Sequence, residues 1–172
     1  MASVVFFRAV NVGGYQKFQP AKLAKELSDL DLLNVGAAGT FIVRKPISQS
    51  ALRSEILNRM SFQPELMICP ASEVTALVAE DPFRALPKDA RPFVSVMLKT
   101  PRKLPPLPLD QPVGSKWQVR VIGVRARFAL SLWRRQERAV SYPNAVVEKQ
   151  FAVSATTRNW NTIQTVATLL AQ

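Results

Sequence analysis

The chain contains no histidine and a single cysteine among its 172 residues. Without imidazole there is no Ser-His-Asp or Cys-His relay, no histidine general base and no zinc site built on histidine. With one thiol there is neither a thiolate metal cage nor an internal disulfide. Cys69, within Met67-Ile68-Cys69-Pro70, reads as a small buried apolar residue rather than a nucleophile. Long hydrophobic runs are also missing, and none approaches the roughly 20 residues that a membrane-spanning helix needs. The opening Met1-Ala2-Ser3-Val4-Val5-Phe6-Phe7-Arg8 has no basic stretch ahead of an apolar core and no small-residue cleavage site, so a cytoplasmic protein is expected. Acidic residues are scarce: 12 Asp and Glu face 23 Lys and Arg, for a formal charge of +11.

What is present suffices for a core. Hydrophobic residues make up 48% of the chain and charged residues 20%, a balance that folds rather than staying disordered. The excess of positive charge is uneven. Residues 1–86 carry 9 basic against 8 acidic side chains, whereas residues 87–172 carry 14 against 4. Two units are expected, the second facing something anionic: nucleic acid, an acidic protein, a phosphorylated metabolite or a membrane surface.

Element signals alternate through the first half. Val4 to Val10 is a compact apolar run ending at the turn signature Asn11-Val12-Gly13-Gly14, as a first strand would. Pro20 suits the first turn of a helix over residues 20–30, with Leu23, Leu27 and Leu30 at helical spacing. A strand is expected from about Phe41 to Arg44, a helix capped by Ser48 to about residue 60, a strand over Glu65 to Cys69, and a third helix capped by Ser72 that stops before Asp81-Pro82-Phe83. This β-α-β-α-β-α order layers helices on a sheet.

The second half opens with a strand over Phe93 to Leu98. Five prolines between Pro101 and Pro112 then mark a connector, open to partner recognition through its prolines but read first as a loop of a compact domain. Trp117–Ile122 and Arg125–Leu130 read as two strands of a hairpin turning at Gly123-Val124, a pairing that opposes Arg120 to Arg127 and puts Arg120, Arg125 and Arg127 on one face. Like charges across a strand pair repel, so such a face needs water, carboxylates or an anionic ligand. Lys116 to Arg138 holds seven basic residues, Arg134 and Arg135 among them, and one acid, Glu137, interleaved with Trp117, Phe128 and Trp133. Near the C-terminus, Thr156 or Thr157 would cap a last helix carrying Ile163, Val166, Leu169 and Leu170, with Arg158, Asn159 and Asn161 in its first turn and Trp160 as an anchor.

Sites of chemistry are few. Gly13-Gly14 follows a strand but lacks Gly-x-Gly-x-x-Gly and any Gly-Lys-Ser/Thr, so backbone freedom in a turn explains it better than a phosphate cradle. Glu26, Asp29 with Asp31, Glu80 with Asp81, and Glu137 with Glu148 form no recognisable acid–base pair. No catalytic residue, cofactor site or metal ligand is assigned.

Arg8-Ala9-Val10-Asn11-Val12-Gly13-Gly14 and Thr157-Arg158-Asn159-Trp160-Asn161-Thr162 carry a resemblance. With Pro82-Phe83 and Tyr142-Pro143-Asn144, they make the chain resemble, over nearly its whole length, the bacterial family known as domain of unknown function 1697. The family has Gly where Ala9 stands, and a Ser-Gly-Asn where this chain has Ala38-Gly39-Thr40; any activity resting on that Ser and Asn would be lost here. The resemblance implies an α+β fold of two ferredoxin-like α/β-sandwich units packed together, and no established activity. The expected units are 1–84 and a basic 88–172.

Three functional expectations follow. The first is a non-enzymatic anion-binding module, nucleic acid foremost among its ligands, contacting phosphates through Arg120, Arg125, Arg127, Arg134 and Arg135. The alternative is a metal-independent enzyme acting on a small phosphorylated or carboxylated substrate at the junction of the two units. There the family-motif residues Arg8, Asn11, Gly13, Gly14, Arg158, Asn159, Trp160 and Asn161 would converge, with Arg8 and Arg158 binding the substrate's charge. The third is a partner-binding protein that self-associates through an exposed strand edge.

Overall fold

A computed structural model describes residues 1–8, 18–136, 138 and 140–172. The chain divides into two compact units, Met1–Ala79 with Gln164–Gln172, and Glu80–Ile163. It is a mixed α+β fold with two antiparallel sheets and five α-helices among the described residues.

In the first unit, strands β1 (Ser3–Phe7), β2 (Leu32–Asn34), β3 (Thr40–Val43) and β4 (Leu66–Pro70) form a sheet of order β2-β3-β1-β4, with helices α1 (Pro20–Glu26) and α2 (Gln49–Leu57) in the connections and α3 (Ala71–Glu80) after it. Every residue of β1 is buried, as its unbroken apolar sequence demands of a central strand. Val5 and Phe7 share a core with Leu23 and Leu27 of the α1 segment and Leu52 and Ile56 of α2. Phe7 stacks on Phe18 with ring centroids 5.1 Å apart. Cys69 is fully buried, and its thiol donates to the Val4 carbonyl at 3.8 Å.

Pro20 opens α1 and the Ser48 hydroxyl caps α2, accepting from the Ala51 N–H at 3.2 Å, both at the positions their residue types suggest. The first helix is shorter than its apolar spacing implies. It ends at Glu26, and Leu30 reaches the core from a 3₁₀ turn (Ser28–Leu30) closed by Asp31 at φ 49°. That turn feeds β2, a strand too short to show alternation. Ser72 lies inside α3 rather than capping it. The turn expected over Asn11–Gly14 lies outside the described residues.

In the second unit, β5 (Arg91–Met97), β6 (Leu109–Gln111), β7 (Val119–Arg125), β8 (Phe128–Trp133) and β9 (Ala155–Asn159) form a sheet of order β6-β7-β8-β5-β9. Helix α4 (Pro143–Phe151) precedes β9, and α5 (Trp160–Leu170) follows it, its residues from Gln164 onward belonging to the first unit. The β7–β8 hairpin is real, but it turns at Ala126-Arg127, so that Arg125 opposes Phe128 and Arg120 opposes Leu132. A bulge between Val121 and Gly123 is the reason: the extra residue resets the alternation and brings Val124 to the face already occupied by Val119 and Val121, against α4. Ala126 takes the left-handed conformation of the turn at φ 50°. A hairpin turning at Gly123-Val124 would have set Val119, Val121, Ala126, Phe128 and Leu130 together on the face opposite the arginines, and the observed register corrects this. Ala129 joins the valines, while Phe128 and Leu130 lie on the opposite face and are equally buried.

The C-terminal segment is corrected too. Residues 155–159 are a strand, so Thr156 and Thr157 cap nothing and Arg158 is not in a helix. Asn159 performs the capping, its side-chain oxygen accepting from the Thr162 N–H at 2.8 Å and the Thr162 hydroxyl at 3.0 Å. The β-branched pair Thr156-Thr157 favours the strand, and the register Val94↔Arg158 seats it beside β5.

Candidate functional site

The second unit carries the charge: 15 Lys and Arg against 6 Asp and Glu lie between Glu80 and Ile163. Its sheet register sorts the five candidate arginines into separate places. Arg125 and Arg127 lie at the β7–β8 turn, and Arg134 and Arg135 follow β8 at its far end. Seven residues of extended chain separate Arg127 from Arg134, about 23 Å.

Three of the five are matched to carboxylates distant in sequence. Arg120 meets Asp110 on the neighbouring strand β6 with two hydrogen bonds, Nε to Oδ1 at 2.7 Å and Nη2 to Oδ2 at 2.8 Å. That pairing holds the Asp110 carboxyl below the usual carboxylate range and raises Arg120 above its ordinary value. Arg125 donates from Nε to Glu80 Oε1 at 2.7 Å. Arg134 Nε lies 3.1 Å from Asp89 Oδ2. The arginines also consume the aromatic group expected among them: Trp117 is buried, with the Arg120 guanidinium carbon 4.4 Å and that of Arg134 3.7 Å from its ring centroid. Trp133 donates its indole N–H to the Ser141 carbonyl at 3.2 Å. Arg127 is half-buried, and Arg135 is exposed.

Another set of cations gathers where Arg91 opposes Trp133 and Trp133 opposes Val119. That end of the sheet brings together Arg91, Lys116, Arg135 and Arg138, none of which has an ion-pair partner among the described residues. Gln118 organises it. Gln118 is buried, its side-chain oxygen accepts from the Val140 and Ser141 N–H groups at 2.8 and 2.9 Å, and its amide donates to the Arg138 carbonyl at 3.0 Å. Sequence reasoning missed Gln118 because nothing local distinguishes it from an exposed strand residue.

Arg91 also lines a pocket of about 350 Å³ with Pro92, Phe93, Asn159, Trp160 and Asn161. Three members of the Arg-Asn-Trp-Asn-Thr motif thus share one cavity. Asn159 is placed there by capping α5, and Trp160 by its edge-to-face contact with Phe83, ring centroids 5.1 Å apart. The motif's arginine is not among the pocket-lining residues. Arg158 is buried, donating to Thr156 Oγ1 at 2.7 Å and the Thr157 carbonyl at 3.1 Å, and burial pulls its pKa down to about 10, still a cation at neutral pH. In the first unit Arg8 is half-buried, its guanidinium 3.7 Å from Glu65. Asn11, Gly13 and Gly14 lie outside the described residues, as does Glu137.

Tyr142-Pro143-Asn144 has a structural use. Asn144 Nδ2 donates to Glu148 Oε1 at 3.0 Å, Thr157 donates to Asn144 Oδ1 at 2.8 Å, and Glu148 Oε2 accepts from the Ala155 N–H at 3.1 Å. The Ser95 hydroxyl, 2.7 Å from that of Thr157, extends the chain of bonds that fastens α4 to β9 and β5. Glu148 is therefore a tether, and its candidate partner Glu137 is not described. Among the described residues no group of three or more His, Cys, Asp or Glu is placed to hold a metal ion.

Comparison with known proteins agrees with the fold and assigns no activity. The structure is similar to that of conserved bacterial protein SP0830 from Streptococcus pneumoniae, with a TM-score of 0.60 at 16% sequence identity over 99% of this chain and 98% of that one. No curated protein matches. The family described as "Protein of unknown function (DUF1697)" matches residues 1–109, which include Arg8-Ala9-Val10-Asn11-Val12-Gly13-Gly14 and Pro82-Phe83, and the chain belongs to that family.

Proposed function

We propose that the protein is a non-enzymatic anion-binding module of the cytoplasm, and that its ligand is a phosphate-bearing chain, foremost a single-stranded nucleic acid. Arg91 carries the reading: it lines a pocket with Asn159 and Asn161 and has no carboxylate partner among the described residues. Lys116, Arg135 and Arg138 extend the positive end beyond it, whereas Arg120, Arg125 and Arg134 are already matched to carboxylates. A phosphate entering the pocket would meet the Arg91 guanidinium and amide donors, with further phosphates along the other three cations.

Four such contacts predict a log–log salt slope of about −2.8 for a single strand. The test is a salt series of binding to short labelled oligonucleotides by the full chain and by Arg91→Ala. Retention near 150 mM salt with that slope, lost in the variant, supports the reading; binding only at low salt, or binding indifferent to Arg91, overturns it. The pocket volume favours one second reading, a small phosphorylated or carboxylated ligand in the same cavity, which would compete with the oligonucleotide.

The scaffold beneath this reading we take to be ferredoxin-like in both units. The β-α-β-β-α-β order and the β2-β3-β1-β4 sheet support it for the first. In the second, β7-β8-β5-β9 repeats that strand order, with α4 in the later crossover and the β6 connector in place of the earlier helix.

A further inference from the structure

The connector between β5 and β6 is not used by the site above, and its composition is unusual for an exposed loop. From Ala90 to Leu109 there is no Asp or Glu. Lys99, Arg102 and Lys103 are exposed, and none has an ion-pair partner among the described residues. Alternating with them stand three outward leucines: Leu98 is 38% exposed, Leu104 63% and Leu107 36%. Single exposed leucines are ordinary, but three within ten residues, interleaved with three unmatched cations, are a patterned surface.

The connector is also held in place. It leaves β5 beside the hairpin turn, where the Met97 N–H donates to the Arg127 carbonyl at 2.8 Å and the Leu98 N–H to the Ser154 carbonyl at 2.9 Å. It returns at Leu109, paired with Val121. Pro101 is buried and anchors its near end. Proline at 101, 105, 106 and 108 fixes φ at four positions and restricts the residue before each. Leu104 and Leu107 are therefore presented by stiff backbone, and little ordering remains to be done when they meet a partner.

We infer that this end of the second unit docks on an anionic membrane surface, Lys99, Arg102 and Lys103 meeting lipid headgroups while Leu98, Leu104 and Leu107 enter the interface. A polyanion such as nucleic acid would use the cations and leave the leucines in water. A bilayer carrying anionic lipid supplies both complements at once, negative charge at the headgroups and apolar material just below them. The surface lies at the opposite end of the sheet from Arg91, so the two proposals stand or fall separately.

The experiment is co-sedimentation of the full-length protein with vesicles of phosphatidylcholine and phosphatidylglycerol at 3:1, against pure phosphatidylcholine, in 0.1 M salt. The expected result is binding to the mixed vesicles and none to the neutral ones. The Lys99→Gln, Arg102→Gln, Lys103→Gln triple variant should lose on the order of 100-fold in partition, about fivefold per cation removed. Leu104→Ser with Leu107→Ser, which leaves the charge unchanged, should weaken binding at least tenfold, and Arg91→Ala should bind vesicles as the parent does. Unfolding curves of all variants check that the folded state is intact. Equal binding to neutral vesicles, no binding to mixed ones, or indifference to the leucine pair would overturn the inference. So would an oligonucleotide that needs Lys99, Arg102 and Lys103 when vesicles do not bind, since the surface would then serve nucleic acid.

Discussion

Asp110 and Arg120 face each other directly across the β6–β7 pair and are joined by two hydrogen bonds of 2.7 and 2.8 Å. This one pairing ties the proline-rich connector to the hairpin, seats the Arg120 guanidinium over Trp117, and removes Arg120 from the pool of cations open to a ligand.

The pair makes acid sensitivity local. Because the folded pKa of Asp110 is lowered, its contribution is fully present above the unfolded value of 3.8 and is lost as pH falls through the lower folded value. The pair is partly exposed, so its worth is about 1 kcal/mol or less. Urea unfolding at pH 6 and pH 2.5 should show the parent losing more stability on acidification than Asp110→Asn; parallel losses would refute the assignment.

Asn159 has two duties that substitution can separate. Asn159→Ala removes the α5 cap and should cost about 1 kcal/mol in chemical denaturation. Asn159→Asp retains the cap and the stability, yet places a negative charge in the Arg91 pocket. Anion binding should therefore fall several-fold in a variant that unfolds like the parent. Unchanged affinity in Asn159→Asp would show that the pocket is not the anion site.

Charge removal should be selective by place. Arg120→Gln and Arg125→Gln act on side chains already paired with Asp110 and Glu80, and oligonucleotide affinity is expected to stay within about twofold of the parent. Lys116→Gln, Arg135→Gln and Arg138→Gln together should flatten the salt slope by about 2, at roughly 0.7 per contact. A filter-binding titration at three salt concentrations distinguishes the two sets, and equal effects would mean that only net charge matters.

The α4 tether predicts a stability defect without a binding defect. Asn144→Ala strips a hydrogen-bond partner from both Thr157 and Glu148 and should cost about 1–3 kcal/mol. Thermal unfolding should register the loss while oligonucleotide affinity at 10 °C stays as in the parent. A variant as stable as the parent would show that the network does not hold α4.

Local signals served well where one residue type dominates its neighbourhood. Pro20 at a first helical turn, Ser48 as a cap, the apolar β1 and the β7–β8 hairpin all depend on conformational preferences acting over a few residues, and each is found. The signals failed where a long-range pairing overrode them. Residues 156–162 carry both strand and helix character, and the partnership of β9 with β5 moved the cap from Thr156 or Thr157 to Asn159. The hairpin turn sits three residues beyond Gly123, because a bulge lets Val124 join the core under α4.

The sequence by itself determined that strands alternate with helices in the first half, that no histidine relay, thiolate cage or internal disulfide can form, and that positive charge concentrates in the second half, for these rest on composition and on periodicities of two to four residues, while the α+β class was implied by the family resemblance. The tertiary structure alone decided which cations remain unmatched among the described residues. Glu80, Asp89 and Asp110 lie between 10 and 45 residues from the arginines they meet, and only the fold brings them within 3.1 Å. Arg91 was passed over in the chain for the same reason: the role proposed for it depends on Asn159 and Asn161, nearly 70 residues away, across the β5–β9 pairing.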